Sequence, residues 1–275
     1  MGMILGIDVG GSTTKIVAFS LHGHLIGTLQ VKATDQITSV YGAIGHFVQQ
    51  YQISLKEIVK IILTGVGASF FTEDIYEIPT IKINEFQAIG YGGLYLADME
   101  EAFVASMGTG TAFVRATQKE IVHIGGSGVG GGTLIGLSSI MLNTSDIEAI
   151  RSFAEHGQIE NIDLSVRDIM NQEVPSLPAN LTASNFGKVK STAVEADFAV
   201  GMINMIFQTI GMLAAFAVRN DTIKDVILTG NLTTFPQVQE IFSAIADIHA
   251  IHFIIPNNAV YATAIGAAVP YLERT

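Results

Sequence analysis

Short apolar runs that end in glycine recur along both halves of this chain. The first run, Ile4–Ile7, leads into Gly10-Gly11, and the alternating segments Lys15–Leu21 and Leu25–Val31 follow it. Alternation of apolar and polar residues indicates a strand, and tight turns between such segments indicate antiparallel pairing. We therefore expect an antiparallel meander at the N-terminus.

The remaining pattern predicts further strands and helices in alternation. The strands are predicted at Val59–Leu63, Thr80–Ile83, Phe103–Ser106, Ala112–Arg115, Glu120–Ile124 and Val226–Thr229. The helices are predicted at Val40–Tyr51, Glu85–Asp98, Thr133–Leu142, Ile147–His156 and Ala262–Leu272. Pro175 and Pro178 mark an irregular loop.

A weak internal repeat relates the two halves of the chain. Lys60–Gly65 and Asp225–Gly230 both end in Leu-Thr-Gly, and each lies in a half that also contains a strand, glycine turn, strand unit. Repeated units of this kind indicate two similar lobes, and ligands commonly bind between lobes. We predict an α/β fold with lobes at residues 1–100 and 101–275.

One uncharged segment, Phe198–Val218, is long enough to span a bilayer. It contains Asn204, Gln208 and two glycines, which are poor lipid-facing residues. We interpret it as a helix in the core or at a subunit interface rather than as a membrane span.

Composition narrows the possible functions. Hydrophobic residues make up 49% of the 275 residues and charged residues 14%, which favours a folded core over disorder. The net charge of -11 opposes binding to nucleic acid. The chain has no cysteine, which excludes disulfides and thiolate metal sites. No secretory signal is recognisable, so we expect a cytoplasmic protein without a membrane or nucleic-acid partner.

The first glycine turn carries residues suited to binding phosphate. Its glycines let backbone N–H groups approach an anion, and Ser12 and Thr13 add hydroxyl donors. Asp8 at the end of the strand could hold Mg²⁺ through water. The segment lacks the Walker pattern, and a plain hairpin turn with a capping Asp is the alternative interpretation.

Two further glycine clusters follow in the second half. Ser106–Thr111 resembles the first turn in pattern, and two such turns could grip a triphosphate from both sides. Gly125–Gly132 precedes a predicted helix, whose N-terminus is a natural anion site. It also contains G-x-G-x-x-G with Asp146 downstream, the pattern of a dinucleotide site. Two features argue against such a site: the pattern lies in the middle of the chain, and Asp146 precedes a helix instead of ending a strand.

Glu85 is the carboxylate best placed to act as a base. It follows the predicted strand Thr80–Ile83 and begins a helix that Asn84 caps. A helix N-terminus favours the ionised carboxylate, which suits a group that deprotonates a hydroxyl. An ordinary first-turn glutamate is the alternative.

In combination, these motifs resemble the type II pantothenate kinases over nearly the whole chain. The resemblance is carried by Asp8-x-Gly-Gly-x-x-x-Lys15, Glu85, Gly108–Thr111, Gly130–Thr133, Asp163–Ile169, Ala183–Gly187 and Ala264–Ala267. It implies an actin-like (ribonuclease H-like) fold with an ATP cleft, and a homodimer with the helix around Met205 near its interface. It also implies phosphorylation of the primary hydroxyl of pantothenate by MgATP, the first step of coenzyme A biosynthesis.

The resemblance implies a role for individual residues. Glu85 becomes the general base, and Asp8 binds Mg²⁺ through water. The nucleotide contacts it implies are Asp8, Val9, Gly10, Gly11, Ser12, Thr13, Thr14, Lys15, Thr109, Gly131, Gly132, Thr133, Leu134, Ile135, Ile147, Gly230 and Asn231. The substrate contacts it implies are Glu85, Thr109, Thr111, His123 and Gly126.

Two positions depart from this resemblance. His123 stands where relatives usually carry an arginine that grips the substrate, and Gln158 stands where they often carry Asp. An imidazole is a weaker anchor than a guanidinium. Two alternatives therefore stay open, a related sugar-type kinase and a non-catalytic regulatory paralogue that binds nucleotide or acyl-CoA. A dehydratase activator of the same fold is disfavoured, because its iron–sulfur cluster needs cysteine.

Overall fold

The computed structural model describes residues 2–170 and 178–273, so the predicted loop at Pro175 lies outside the described residues. The strands are β1 Met3–Val9, β2 Thr13–Ser20, β3 Leu25–Lys32, β4 Ile58–Thr64, β5 Thr80–Lys82, β6 Glu101–Met107, β7 Thr111–Thr117, β8 Ile121–Ser127, β9 Leu164–Ser165, β10 Thr182–Ser184, β11 Asp225–Thr229 and β12 His252–Ile254. The helices are α1 Gln36–Gln50, α2 Glu85–Ala97, α3 Gly131–Met141, α4 Ile147–Ala154, α5 Val166–Ile169, α6 Glu195–Val218, α7 Gln237–His249 and α8 Ala262–Ala268.

The described strands form two five-stranded sheets of the same topology, together with a two-stranded ribbon of β9 and β10. The N-terminal sheet has the order β3-β2-β1-β4-β5 and begins with the predicted antiparallel meander. The C-terminal sheet has the order β12-β11-β6-β7-β8. In each sheet the repeat strand, β4 or β11, pairs in parallel with the first strand, β1 or β6. The predicted internal repeat and the α/β fold with two similar lobes are therefore confirmed.

Several predicted boundaries shift in the structure. Strand β8 extends to Ser127, and α3 begins at Gly131 instead of Thr133, so the glycine cluster is part strand and part helix. The predicted helix Ala262–Leu272 is α8 followed by a 3-10 turn at Val269–Tyr271. Strand β12 and helix α7 are absent from the predicted elements, although the spacing of Val238, Phe242 and Ile245 along α7 is helical.

Two helices cross between the lobes. Helix α2 belongs to the first half of the chain but packs on β6, β7 and β8, whereas α8 packs on β1, β2 and β4. The two helices also pack on each other, and this contact requires glycine at their interface. A Cβ at Gly92 would lie 1.8 Å from the carbonyl oxygen of Ala262, and one at Gly266 would lie 1.8 Å from that of Ala88.

Helix α6 is the core helix of the C-terminal lobe. In the described part of the chain, it alone is long and apolar enough to cross a bilayer, but 61% of its most apolar stretch is buried inside the fold. Its inner face packs on α3, α4 and α7. This packing explains the absence of charge from Phe198 to Val218 without a membrane.

The resemblance motifs at Asp163–Ile169 and Ala183–Gly187 form a small polar layer against α6. The buried Asp163 carboxylate accepts hydrogen bonds from Asn204 Nδ2 at 2.7 Å, the Phe186 N–H at 2.8 Å and Asn185 Nδ2 at 3.1 Å. A buried carboxylate is tolerated when such donors surround it. These residues therefore hold the β9–β10 ribbon in place.

Candidate active site

Two hairpin turns, one from each lobe, meet in the structure. Gly10-Gly11-Ser12 joins β1 to β2, and Gly108-Thr109-Gly110 joins β6 to β7. The hydroxyl oxygens of Ser12 and Thr109 lie 3.2 Å apart, within hydrogen-bond distance. The two turns that were predicted from the sequence to bind a triphosphate therefore lie side by side in the structure.

Asp8 lies at the end of β1, one residue pair before the first turn. It is opposite Lys15 on β2 and Thr64 on β4. Burial raises the pKa of the Asp8 carboxyl, and the positive charge of Lys15 partly opposes this rise. Burial likewise lowers the pKa of Lys15, whose side chain is 6% exposed. The carboxyl and the amine thus belong to paired residues on neighbouring strands, close to the first turn.

The glycines that end the internal repeat let the chain turn tightly beside these sites. Gly65 has a φ of 86° and Gly230 a φ of 93°, both in the left-handed region. A Cβ at Gly65 would lie 2.6 Å from Asp8 Oδ1, and one at Gly230 would lie 2.4 Å from the Met107 carbonyl oxygen. Each glycine therefore gives its neighbouring strand end the room that a side chain would fill.

Glu85 is the first residue of α2. The side-chain oxygen of Asn84 accepts hydrogen bonds from the N–H groups of Phe86 at 2.9 Å and Gln87 at 3.3 Å, as the predicted cap requires. Burial raises the pKa of the partly buried Glu85 carboxyl, and the negative charge of Asp8 raises it further. A nearby like charge disfavours the ionised form, so the Asp8 carboxylate is the second cause of the raised pKa of Glu85.

The expected substrate contacts fall into two groups. His123 stacks on Phe86, and the Cβ position of Gly126 lies 4.0 Å from His123 Nε2. These residues lie around the N-terminus of α2. Thr111 differs, because its buried hydroxyl donates to the Val129 carbonyl oxygen at 2.9 Å. Its role toward a substrate stays a prediction, and the structure gives its hydroxyl a partner inside the protein.

The N-terminus of α3 is tied to the second turn. The N–H groups of Gly131 and Gly132 donate to the carbonyl oxygens of Gly108 and Thr109, each at 2.8 Å. The Thr133 hydroxyl donates to the Gly128 carbonyl oxygen at 2.8 Å. These three donors therefore hold the loop in shape, and the contacts of Gly131, Gly132 and Thr133 with a nucleotide stay predictions.

The other expected nucleotide contacts lie deeper in the C-terminal lobe. The Leu134 side chain is buried in its core, and Ile135 is half-buried on α3. Ile147 opens α4 and packs against the same core. Asn231 begins a 3-10 turn directly after Gly230. Their contacts with a nucleotide stay predictions.

Sequence reasoning missed two contributors to the site, Gly65 and Phe86. Gly65 carried a signal, since it ends the internal repeat at the position where Gly230 ends the second copy. Phe86 carried none, because an apolar residue in the first turn of a helix is ordinary. Only the crossing of α2 onto the other lobe brings Phe86 to His123.

The two sheets of like topology and the paired turns define a protein of the two-lobed, actin-like fold class. In its backbone the chain is similar to the activator of 2-hydroxyisocaproyl-CoA dehydratase from Clostridium difficile, solved with bound ADPNP, at a TM-score of 0.71 and 13% identity over 98% of this chain and 94% of that chain. At this identity the likeness concerns the fold alone.

The sequence comparisons identify the family. The Fumble family model matches residues 101–254. The type II pantothenate kinase of Staphylococcus haemolyticus is 28% identical, covering 96% of this chain and 98% of the relative. That of Staphylococcus aureus strain MRSA252 is 30% identical, covering 83% of this chain and 84% of the relative. The chain belongs to the type II pantothenate kinase family, which confirms the resemblance found in the sequence.

Proposed function

We propose that this protein is a pantothenate kinase that transfers the γ-phosphoryl group of ATP to the primary hydroxyl of pantothenate, the first step of coenzyme A biosynthesis. The observation that carries the proposal is the meeting of Ser12 and Thr109 at the end of the strand that carries Asp8, whose charge raises the pKa of Glu85. Family membership along nearly the whole chain supports the choice of pantothenate as the acceptor.

The paired turns would hold the triphosphate. Gly11 has no atom within 4 Å of its Cβ position, and the nearest atom at Gly108 is 3.7 Å away, so an oxyanion can approach both backbones. The hydroxyls of Ser12 and Thr109, which follow these glycines in the two turns, would donate to the phosphates. Lys15 adds positive charge behind the first turn, where phosphates are bound chiefly by positioning and charge.

Magnesium ion fits the carboxylate at Asp8. Among residues 2–170 and 178–273, no group of three or more histidine and acidic side chains is placed to hold a metal ion by itself. A single partly buried carboxylate instead suits a magnesium ion held mainly by phosphates and water, as is usual for Mg²⁺. When bound, the ion would neutralise phosphate charge. Asp8 would hold its hydration shell, and the raised pKa of Asp8 would fall in its presence.

Glu85 would act as the general base at the acceptor hydroxyl. Its helix fixes it on one side through the Asn84 cap and on the other through the close packing of α2 on α8. Its raised pKa brings it nearer to the working pH, which improves a general base. The hydroxyl proton would pass to Glu85 as the hydroxyl oxygen attacks the γ-phosphorus in line with the departing ADP oxygen.

The exposed outer face of α6 would form a homodimer interface in the cytoplasm. Phe216 is 59% exposed and Leu213 36% exposed at the C-terminal end of this helix. Exposed apolar groups on a core helix favour a protein partner. Light scattering should give a dimer for the wild type and a monomer for Phe216→Asp. Phe70→Asp removes an aromatic that is also 59% exposed, and it should leave the dimer intact.

The test of the function is release of ADP from MgATP with pantothenate, alongside a panel of sugars and amino sugars. Turnover that depends on pantothenate supports the proposal. Turnover only with another hydroxyl compound would identify that compound as the acceptor in place of pantothenate, and would favour a sugar-type kinase. ATP binding without turnover on any acceptor would contradict the proposal and favour a regulatory paralogue.

A further inference from the structure

The ring of Phe86 stacks face to face on the imidazole of His123. The ring centroids lie 3.7 Å apart, and the planes differ by 10°. Phe86 follows Glu85 in the first turn of α2, whereas His123 lies on β8 of the other lobe. The stack therefore joins the helix that carries the proposed base to the strand that carries a proposed substrate contact.

A close approach of α2 to β8 makes this stack possible. Gly90 lies one helical turn after Phe86 on the same face of α2, and a Cβ at Gly90 would lie 2.8 Å from the Ile121 side chain. Ile121 and His123 are two residues apart and share one face of β8. Since Gly90 has no side chain, the helix sits close enough for the Phe86 ring to cover the imidazole.

The imidazole keeps one edge toward solvent. His123 is exposed, and the Cβ position of Gly126 lies 4.0 Å from its Nε2. Gly126 has no side chain to fill the position beside this nitrogen, and the Thr111 carbonyl oxygen lies 3.0 Å from the same position. A ring nitrogen can donate or accept a hydrogen bond in this space, but only in the plane of the ring. The orientation of the plane therefore decides what the nitrogen can reach.

We propose that Phe86 is a positioning residue for acceptor recognition, which fixes the plane of the His123 imidazole so that it hydrogen-bonds a carboxylate or amide group of the acceptor beside Gly126. The inference rests on the proposed function, because it assigns His123 to the same acceptor that Glu85 deprotonates. A flexible arginine reaches its partner by itself, whereas a short imidazole needs a packed neighbour that fixes the orientation of its ring. Phe86 is this neighbour.

The test is a double-mutant cycle on Phe86 and His123 with steady-state kinetics. Phe86→Leu should raise the KM for pantothenate about tenfold, the size expected for one lost hydrogen bond, and change kcat and the KM for ATP less than about twofold. Phe86→Tyr keeps an aromatic ring and should restore the KM. Tyr95→Leu removes an aromatic from the other end of α2 and should leave all three constants unchanged.

The same substitution made in a variant without the imidazole distinguishes a positioning role of Phe86 from a general packing role. In a His123→Ala background, Phe86→Leu should add less than about twofold to the KM for pantothenate, because the imidazole that it positions is gone. An undiminished effect in that background would overturn the inference. So would a Phe86→Leu variant in which kcat and both KM values change alike.

A readout independent of turnover keeps this inference distinct from the proposed function. Phe86→Leu should shift the NMR resonance of the His123 ring proton on Cε1, because the ring current of Phe86 is removed. An unmoved resonance overturns the stacking that the inference requires. Absence of pantothenate turnover in the wild type refutes the proposed acceptor, and a shifted resonance in that case still establishes the stack.

Discussion

The hydroxyl of Ser12, from the first lobe, lies 3.2 Å from the hydroxyl of Thr109, from the second. This pair is a direct side-chain contact between the two glycine turns. Each hydroxyl can donate one proton, so a bound triphosphate can replace their mutual hydrogen bond with a stronger charge-assisted one. The contact thus marks the place where the two lobes would share the nucleotide.

Ser12→Ala should raise the KM for ATP by about tenfold or more, because a hydrogen bond to a charged group contributes about 1.5–3 kcal/mol. The KM for pantothenate should change little, since the proposal assigns this turn to the phosphates. Ser243→Ala, at an exposed position on α7, serves as the control. An unchanged KM for ATP in Ser12→Ala would remove this hydroxyl from the nucleotide site.

Glu85→Gln should lower kcat by about 10²–10⁴, the usual contribution of a general base. Binding of ATP should remain close to that of the wild type. Glu240→Gln makes the same change in the first turn of α7 and should have no effect on turnover. Near-normal turnover in Glu85→Gln would show that another group takes the proton.

The same Glu85→Gln variant should be more stable than the wild type at neutral pH. The folded protein binds a proton on Glu85 more tightly than the unfolded chain does, because burial and then the charge of Asp8 raise its pKa. The contribution of this carboxyl to stability is therefore fully present at pH values below the ordinary glutamate pKa. It is lost as pH rises through the raised pKa. Urea denaturation should show the gain at neutral pH and no gain in acid.

Asp8→Asn should lower the pKa of Glu85 toward its ordinary value of 4.5 without reaching it. Burial, the larger cause of the raised pKa, persists in the variant, whereas the repulsion from Asp8 is removed. Carbon-13 NMR titration of glutamate carboxyls, assigned with Glu85→Gln, measures the change. An unchanged pKa would mean that the two carboxylates do not sense each other.

Gly92→Ala should destabilise the protein by about 3 kcal/mol or more, because the new Cβ has no space between α2 and α8. Gly45→Ala, on the exposed face of α1, meets no atom within 4 Å and should stabilise the protein by about 0.5–1 kcal/mol. Urea denaturation of the two variants compares them directly. Equal effects would contradict the tight helix crossing.

Asp221→Asn should be less stable than the wild type at neutral pH but equally stable in acid. The Arg115 guanidinium, 2.7 Å from Asp221 Oδ2, holds the pKa of this carboxyl below its ordinary value of 3.8. Stability from this pair is therefore fully present above that value and is lost as pH falls through the lowered pKa. We expect a loss of about 1 kcal/mol at neutral pH that vanishes in acid, measured by urea denaturation. A loss that is independent of pH would point to packing instead of charge.

The sequence predicted what is local and missed what depends on how the lobes meet. The glycine turns, the strands that precede them and the Asn84 cap of α2 all follow from neighbours in the chain, and the structure contains them. The hydrogen bonds that use the N–H groups of Gly131 and Gly132 could not be predicted, because their acceptors lie in another turn. The Phe86–His123 stack depends on the crossing of α2, which no local pattern encodes.

The exchange of α2 and α8 between the sheets means that neither half of the chain is a self-sufficient folding unit. Cutting near residue 100 would leave the N-terminal sheet without the helix that covers Ile4, Val17 and Ile62, and the C-terminal sheet without its partner for Val104 and Val114. Each fragment would expose an apolar face until it met the other. We therefore expect the two lobes to fold as one cooperative unit. A hinge motion between the lobes must leave α2 and α8 packed on each other, because each helix belongs to the other lobe's sheet.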